Sequence, residues 1–378
     1  MNIKMSQLTG YHVMIVSKYF ETIKDFINLE FVCKKFGDNM VKFHFNPIPL
    51  NSKTIVHFPN IETLHLWNKE DENFGNRFPF CVIFNEDSEN KKQNEEYKDK
   101  NKCVLTKEFF CIIVWFAVDF KTVNTNKSRN IKFKNVTFTK NDRHKFGNVI
   151  PFGVTSIGDD CFSYLCSLRS VTIPSSVTSI GNYCFYGCAS LSSVTITSNV
   201  LLFCESCFSE CSSLGSIAIP YSVTSFSKNC FNGCSSLNSI TIPLGVTSYN
   251  DWCFSGCSNL SSMTIPSNVT YIGIGCFSHC CGLRNVTIHS NVTIISNSCF
   301  YGCDSLSSVD LPLSVKSIGH QCFSYCSSLS SVTIPLSVTS IGYYCFHECN
   351  NLSSVSISSN VTSVGNYCFP SNTVIQHN

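Results

Sequence analysis

From about residue 147 onward, apolar and polar positions recur with a period of 23 residues and no insertion. A typical unit, Leu329 to Cys349, reads LSSVTIPLSVTSIGYYCFHEC. Leu329, Val332 and Ile334 predict a short strand whose side chains point inward by turns. Pro335 ends that strand, and Val338, Ile341 and Phe346 supply inward residues on a return path. Gly342 stands where a tight bend would need it. A Cys-Phe pair marks every unit, from Cys161-Phe162 through Cys184-Phe185 to Cys368-Phe369. Six apolar side chains cannot offset the entropy of ordering 23 backbone residues, so no unit folds alone. The pattern therefore predicts a stacked solenoid, mostly β, stable only as a column. At about 4.8 Å per layer, ten layers make roughly 48 Å.

The repeated wording L-x-x-V-x-I-P-x-x-V-x-x-I-G-x-x-C-F-x-x-C resembles the BspA-type leucine-rich repeat over about Gly147 to Phe369. That resemblance implies a leucine-rich-repeat solenoid, with a parallel sheet on one side and short turns or 3-10 segments on the other. It also implies protein binding or adhesion without chemistry. The family usually has Ala before the Phe, where this chain has Cys.

The rest of the chain divides by composition. Residues 1–150 hold 23 Lys and Arg against 17 Asp and Glu, whereas residues 151–378 hold 4 against 8. Neither part is basic enough to suggest nucleic acid. Leu8 to Met40 reads as two or three short amphipathic helices. Their order resembles an F-box, with Thr9 where that motif usually has Pro. The resemblance implies docking on a Skp1-like adaptor through Leu8, Tyr19, Phe20 and Val32; the competing reading is a helical cap on the solenoid. The expected organisation is a helical module at 1–45, degenerate leucine-rich repeats at 46–146, and the regular array at 147–378. Phe58 to Leu66 carries an L-x-x-L-x-L strand, Phe109 to Val118 reads as a buried strand, and Ile131 to Thr139 alternates like one. The charged stretch 86–102 reads as a mobile insertion.

Of the 25 cysteines, ten form the Cys-Phe column and eight a second column four residues on, Cys188 to Cys349. Buried free thiols are the favoured reading, with inter-repeat disulfides or metal as alternatives. MNIKMSQLTGYHVMIVSKYF contains no secretory apolar core, and the ten-residue apolar run from Phe109 is too short to cross a bilayer. A cytoplasmic location is expected, with a cell-surface location by an unseen export route as the alternative. Sequons at Asn268, Asn291 and elsewhere follow from the repeat's own wording.

The ten histidines form no catalytic motif, and neither an enzyme nor a cofactor is expected. Recognition is expected at positions the repeat leaves free. These are Tyr183, Trp252, Tyr343, Tyr344 and Tyr367 on the return side, and Arg169 and Arg284 beside a Thr column on the sheet side. The last unit runs out without a cap, which predicts an end-to-end dimer through the C-terminal repeat or a partner covering it. Three functions fit: a scaffold that binds a protein ligand, an F-box receptor of a ubiquitin ligase, and a BspA-like adhesin.

Overall fold

The computed structural model describes residues 15–17, 19–32, 37–80, 105–197, 199–289 and 291–377. Leu8 and the insertion at 86–102 lie outside the described residues. The chain forms two compact units, Met1–Thr137 and Phe138–Asn378.

In the first unit, helix α1 (Ile23–Val32) buries Phe26 completely. The Phe26 ring meets Phe20, Phe43 and Phe58 edge-on at 5.1, 5.8 and 5.4 Å. Strands β1 (Thr63–Leu66), β2 (Cys111–Val114) and β4 (Ile131–Phe133) form a parallel sheet, with Leu64 opposite Ile112 and Ile112 opposite Ile131. The L-x-x-L-x-L strand is therefore present, with Leu64 and Leu66 buried. Asn46 locks it from the preceding layer. Its amide donates to the His65 and Ile48 carbonyls and accepts the His65 N–H, so three otherwise stranded groups are satisfied by one side chain.

The apolar run at 109–118 differs from a fully buried strand. Strand β2 alternates buried Ile112 and Val114 with half-exposed Cys111 and Ile113. A second short strand, β3 (Val118–Asp119), follows it and leads into helix α2 (Phe120–Thr125). The stretch 131–139 also breaks in two, giving β4 and then β5 (Val136–Phe138), because the chain turns at Lys134-Asn135. There Asn135 holds the Trp115 carbonyl while β3 pairs with β5 through Val118 and Val136.

The second unit opens with helix α3 (Lys140–Phe146), started by a capping box in which Thr139 and Asp142 satisfy each other's backbone N–H groups. The sequence pattern places the start of the regular array at 147, yet α3 belongs with the array. Its buried Arg143 donates from Nε to the Cys161 carbonyl at 2.6 Å and lies 6.0 Å from the Phe162 ring centre. Each layer from Ser170 to Val364 then contributes a strand of three or four residues, such as Ser170–Ile173 and Ser193–Ile196, and a two-residue strand such as Ser179–Ile180. Successive layers pair in parallel with a shift of 23, as in Val171 with Val194 and Val286 with Val309.

On the return side the Phe N–H of each layer donates to the Cys carbonyl of the next, Phe162 to Cys184 and so on to Phe346 with Cys368. The first carbonyl of that ladder, Cys161, has no earlier Cys-Phe turn to donate to it, and Arg143 takes the missing place. Arg143 is thus the array's end-cap on this side. The Phe rings stack at 5.1–5.6 Å with planes within 17° of parallel from Phe162 to Phe369.

Two details differ from the expectation. Gly342 does not serve a bend through unusual backbone angles; a Cβ there would sit 2.5 Å from the His320 nitrogen, so the glycine lets adjacent layers approach. The last strand, Val374–His377, pairs with Ser354–Ile357 with a shift of 20 where the repeat's period is 23, which puts Ile375 beside Val355. Pro370-Ser371-Asn372 shortens the final turn by three residues, and Val374 and Ile375 remain exposed.

Candidate functional site

All cysteines among the described residues are unpaired thiols. Those of the Cys-Phe column are buried between layers. Each thiol of the second column donates to the Phe carbonyl of the preceding layer, as Cys188 to Phe162, Cys234 to Phe208 and Cys349 to Phe323, at 3.0–3.3 Å. That carbonyl already accepts a backbone N–H within its own turn, as Phe208 does from Cys211. The thiol fills its second lone pair, a role a purely apolar filler could not play. Burial pushes the Cys188 thiol up to about 11 and the Cys234 thiol up to about 12, so both stay protonated donors at neutral pH. Among the described residues, no cluster of three His, Cys, Asp or Glu side chains is arranged to hold a metal ion. No described helix is long and apolar enough to cross a membrane.

The columns hold the backbone so firmly that the residue before each Cys takes left-handed angles whatever its identity. Tyr183, Trp252, Tyr344 and Tyr367 have φ of 53°, 57°, 56° and 56°. A second left-handed position follows each Phe by two residues and is occupied by Tyr164, His279 and Tyr325, with φ of 56–61°. Left-handed backbone disfavours bulky L-residues by about 1–2 kcal/mol each and suits Gly or Asn. The ring-bearing residues therefore stand where backbone preference alone would not put them.

Their rings join across layers. His279 meets Tyr301 at 5.2 Å, Tyr301 meets Tyr325 at 5.4 Å, Tyr325 meets His347 at 5.9 Å, and His347 meets Tyr344 at 5.3 Å. Tyr344 then stacks on Tyr367 at 5.3 Å, which is 69% exposed. Tyr343 stacks on His320 at 5.0 Å, and the His320 Nδ1 accepts the Tyr343 N–H. A shallow cleft of about 310 Å³, lined partly by His347, Glu348, Asn350, Tyr367 and Pro370, lies at the end of this ridge. A smaller group, Tyr164, Tyr183 and Tyr186, forms the same kind of contact near the start of the array.

The structure thus joins Tyr343, Tyr344 and Tyr367 into one neighbourhood and leaves Tyr183 in another. Trp252 is half-buried with its ring over Gly275, where a Cβ would come within 2.4 Å of it. Arg169 and Arg284 are exposed one residue before their strands, away from the ring-bearing turns. Tyr19 and Val32 are exposed, while Phe20 packs on Phe26. His279 and His347 belong to the ridge, and His320 to the separate stack with Tyr343, although they look scattered along the chain. Their signal is position: His279 shares a column with Tyr164 and Tyr325, His320 with Tyr343, and His347 with Tyr186 and Tyr301.

Comparison with a family model agrees with this architecture. The BspA type leucine rich repeat region matches in six copies over residues 132–261 and 252–376. Among solved structures, a leucine-rich repeat protein from Bacteroides ovatus is 27% identical, covering 61% of this chain and 71% of that one with a TM-score of 0.44. A second, from Eubacterium ventriosum, is 22% identical over 70% of this chain and 83% of its own, with a TM-score of 0.46. A leucine rich cell surface protein from Faecalibacterium prausnitzii is 25% identical over 69% and 82%, with a TM-score of 0.39. No curated protein matches the chain.

Proposed function

Because this chain belongs to the BspA-type leucine-rich repeat family, we propose that its solenoid is a non-enzymatic scaffold that binds a protein ligand through the ring-bearing turns from His279 to Tyr367. The observation that carries this reading is the occupation of left-handed positions by exposed Tyr344, Tyr367 and Tyr325, against backbone preference. Tyrosine supplies contact area with few rotors to freeze, which suits an interface anchor. A photo-crosslinking side chain at Tyr344, in protein kept in its own cell, is expected to capture one dominant protein. The same group at Thr264 on the sheet face is the control. Capture at Thr264 and none at Tyr344 refutes the assignment.

A second reading has one observation in its favour. Tyr19, Phe31 and Val32 are large side chains left exposed in the N-terminal segment, as docking on a Skp1-like adaptor would require. A purified adaptor that fails to bind the intact chain excludes an F-box receptor. Buried free thiols favour a cytoplasmic location; glycan at Asn268 would decide instead for a cell-surface adhesin. The end-to-end dimer would use Val364, Val374 and Ile375, the exposed apolar residues of the final layer.

A further inference from the structure

A third surface lies apart from both the sheet face and the ring-bearing turns. Immediately after the strand, at the residue following Pro, five layers carry a large apolar side chain that points into solvent. These are Phe152, Tyr221, Leu244, Leu313 and Leu336, exposed by 66–92%. The other five layers have Ser at this place in the sequence. Nothing in the fold calls for these five residues, because they cover no core and their backbone is ordinary. The residue that follows each of them is Gly or Ser, so the row is flanked by small neutral groups.

The spacing of the row is the informative feature. The intervals are 69, 23, 69 and 23 residues, and from Tyr221 to Leu336 the order is two apolar layers, two serine layers, two apolar layers. That order reads the same in either direction. An isologous interface demands this property, since a two-fold axis brings each layer against one equally far on the other side of the axis. An axis midway between Leu244 and Leu313, perpendicular to the row, sets Leu244 against Leu313 of the partner subunit. It likewise sets Tyr221 against Leu336 of the partner subunit.

We infer that two copies of this chain associate side by side and antiparallel through this row. Four side chains per copy, at about 100 Å² each, give roughly 800 Å² across the pair before the serine and asparagine flanks are added. With those flanks the contact comes within reach of the ~1,200 Å² at which specific interfaces begin. The residue that follows each member of the row is uncharged, so no like charges of two identical copies meet at those positions.

The experiment is sedimentation of the full chain over a range of concentrations, with the variants Leu244→Lys and Leu313→Glu. Both sites are exposed, so neither variant disturbs a core. Wild type is expected to dimerise, and each variant alone to do so at least about 30-fold more weakly. Mixing the two variants is expected to restore the dimer, because only this register sets the ammonium introduced in one copy against the carboxylate introduced in the other. Val364→Glu in the final layer is expected to leave it unchanged. Wild type that stays monomeric overturns the inference. So does a dimer indifferent to both variants, a mixture that fails to recover, or a monomer that floats with phosphatidylcholine vesicles through Leu244.

Discussion

Raising the pH from 7 to 10 should unfold the array, and the size of the effect follows from its thiols. Burial raises nine thiols of the Cys-Phe column above the ordinary value of 9.0. It does the same for seven of the second column. A group with a raised folded value contributes its full stability below the unfolded value and loses it as pH climbs toward the folded one, because the unfolded chain alone sheds the proton. At pH 10 each such thiol weakens the fold by about 1.4 kcal/mol. Sixteen of them together remove roughly 20 kcal/mol, more than the 5–15 kcal/mol of an ordinary domain. Circular dichroism should therefore show a steep loss of sheet signal between about pH 9 and 10, with thiolate absorbance rising in the same interval. Thiolate absorbance that rises to the full complement of thiols while the sheet signal stays intact would mean the column thiols ionise in place, and would refute the burial argument.

The remaining predictions concern single side chains. Cys234→Ala should destabilise by about 1–2 kcal/mol in urea unfolding, and Cys234→Ser by less, because serine can still donate to the Phe208 carbonyl; the reverse order would show that the thiol acts as filler alone. Arg143→Met should cost about 1–3 kcal/mol by stranding the Cys161 carbonyl, with hydrogen exchange quickening at 158–165 well before the central layers. Tyr249→Phe should stabilise by about 1 kcal/mol, since its hydroxyl is buried among Phe226, Phe254 and Phe277 with no partner among the described residues; a melting temperature that falls would contradict this.

The array could be read from the sequence because every layer repeats the same contacts, so a period of 23 fixes the strand register without knowledge of any one layer. Val171 against Val194 follows directly. Legibility ends where a feature depends on the last or first layer: the shift of 20 at Val355 and Ile375 reflects a shortened turn, and Arg143 gains its role only from a carbonyl with no earlier Cys-Phe turn to donate to it. Of the ridge, Tyr344 and Tyr367 could be singled out in the sequence by residue type and position alone. Its histidines, and the apolar row through Leu244 and Leu313, become visible only when residues 23 apart are set side by side, since neither has a neighbour of like kind along the chain. The division of 131–139 into two strands was hidden because the alternation of Ile131, Phe133, Val136 and Phe138 skips a beat at Lys134-Asn135.

The same ladders that make the core monotonous leave the surface free to vary. The residue before the Cys-Phe pair is Asp160, Tyr183, Ser206, Asn229, Trp252, Gly275, Ser298, Gln321, Tyr344 and Tyr367 in turn, and all ten share φ between 51° and 60°. Since the backbone is imposed by the ladder on either side, exchanging one of these side chains alters the presented surface with little change to the layer stacking that holds the array together. Stability in this molecule resides in columns of identical residues, where a change is felt by two neighbouring layers. Recognition resides in columns of unlike residues, where a change is felt mainly by whatever binds. A large ring in such a column is therefore better explained by a partner than by the fold, and the cluster from His279 to Tyr367 is where that reasoning points most strongly.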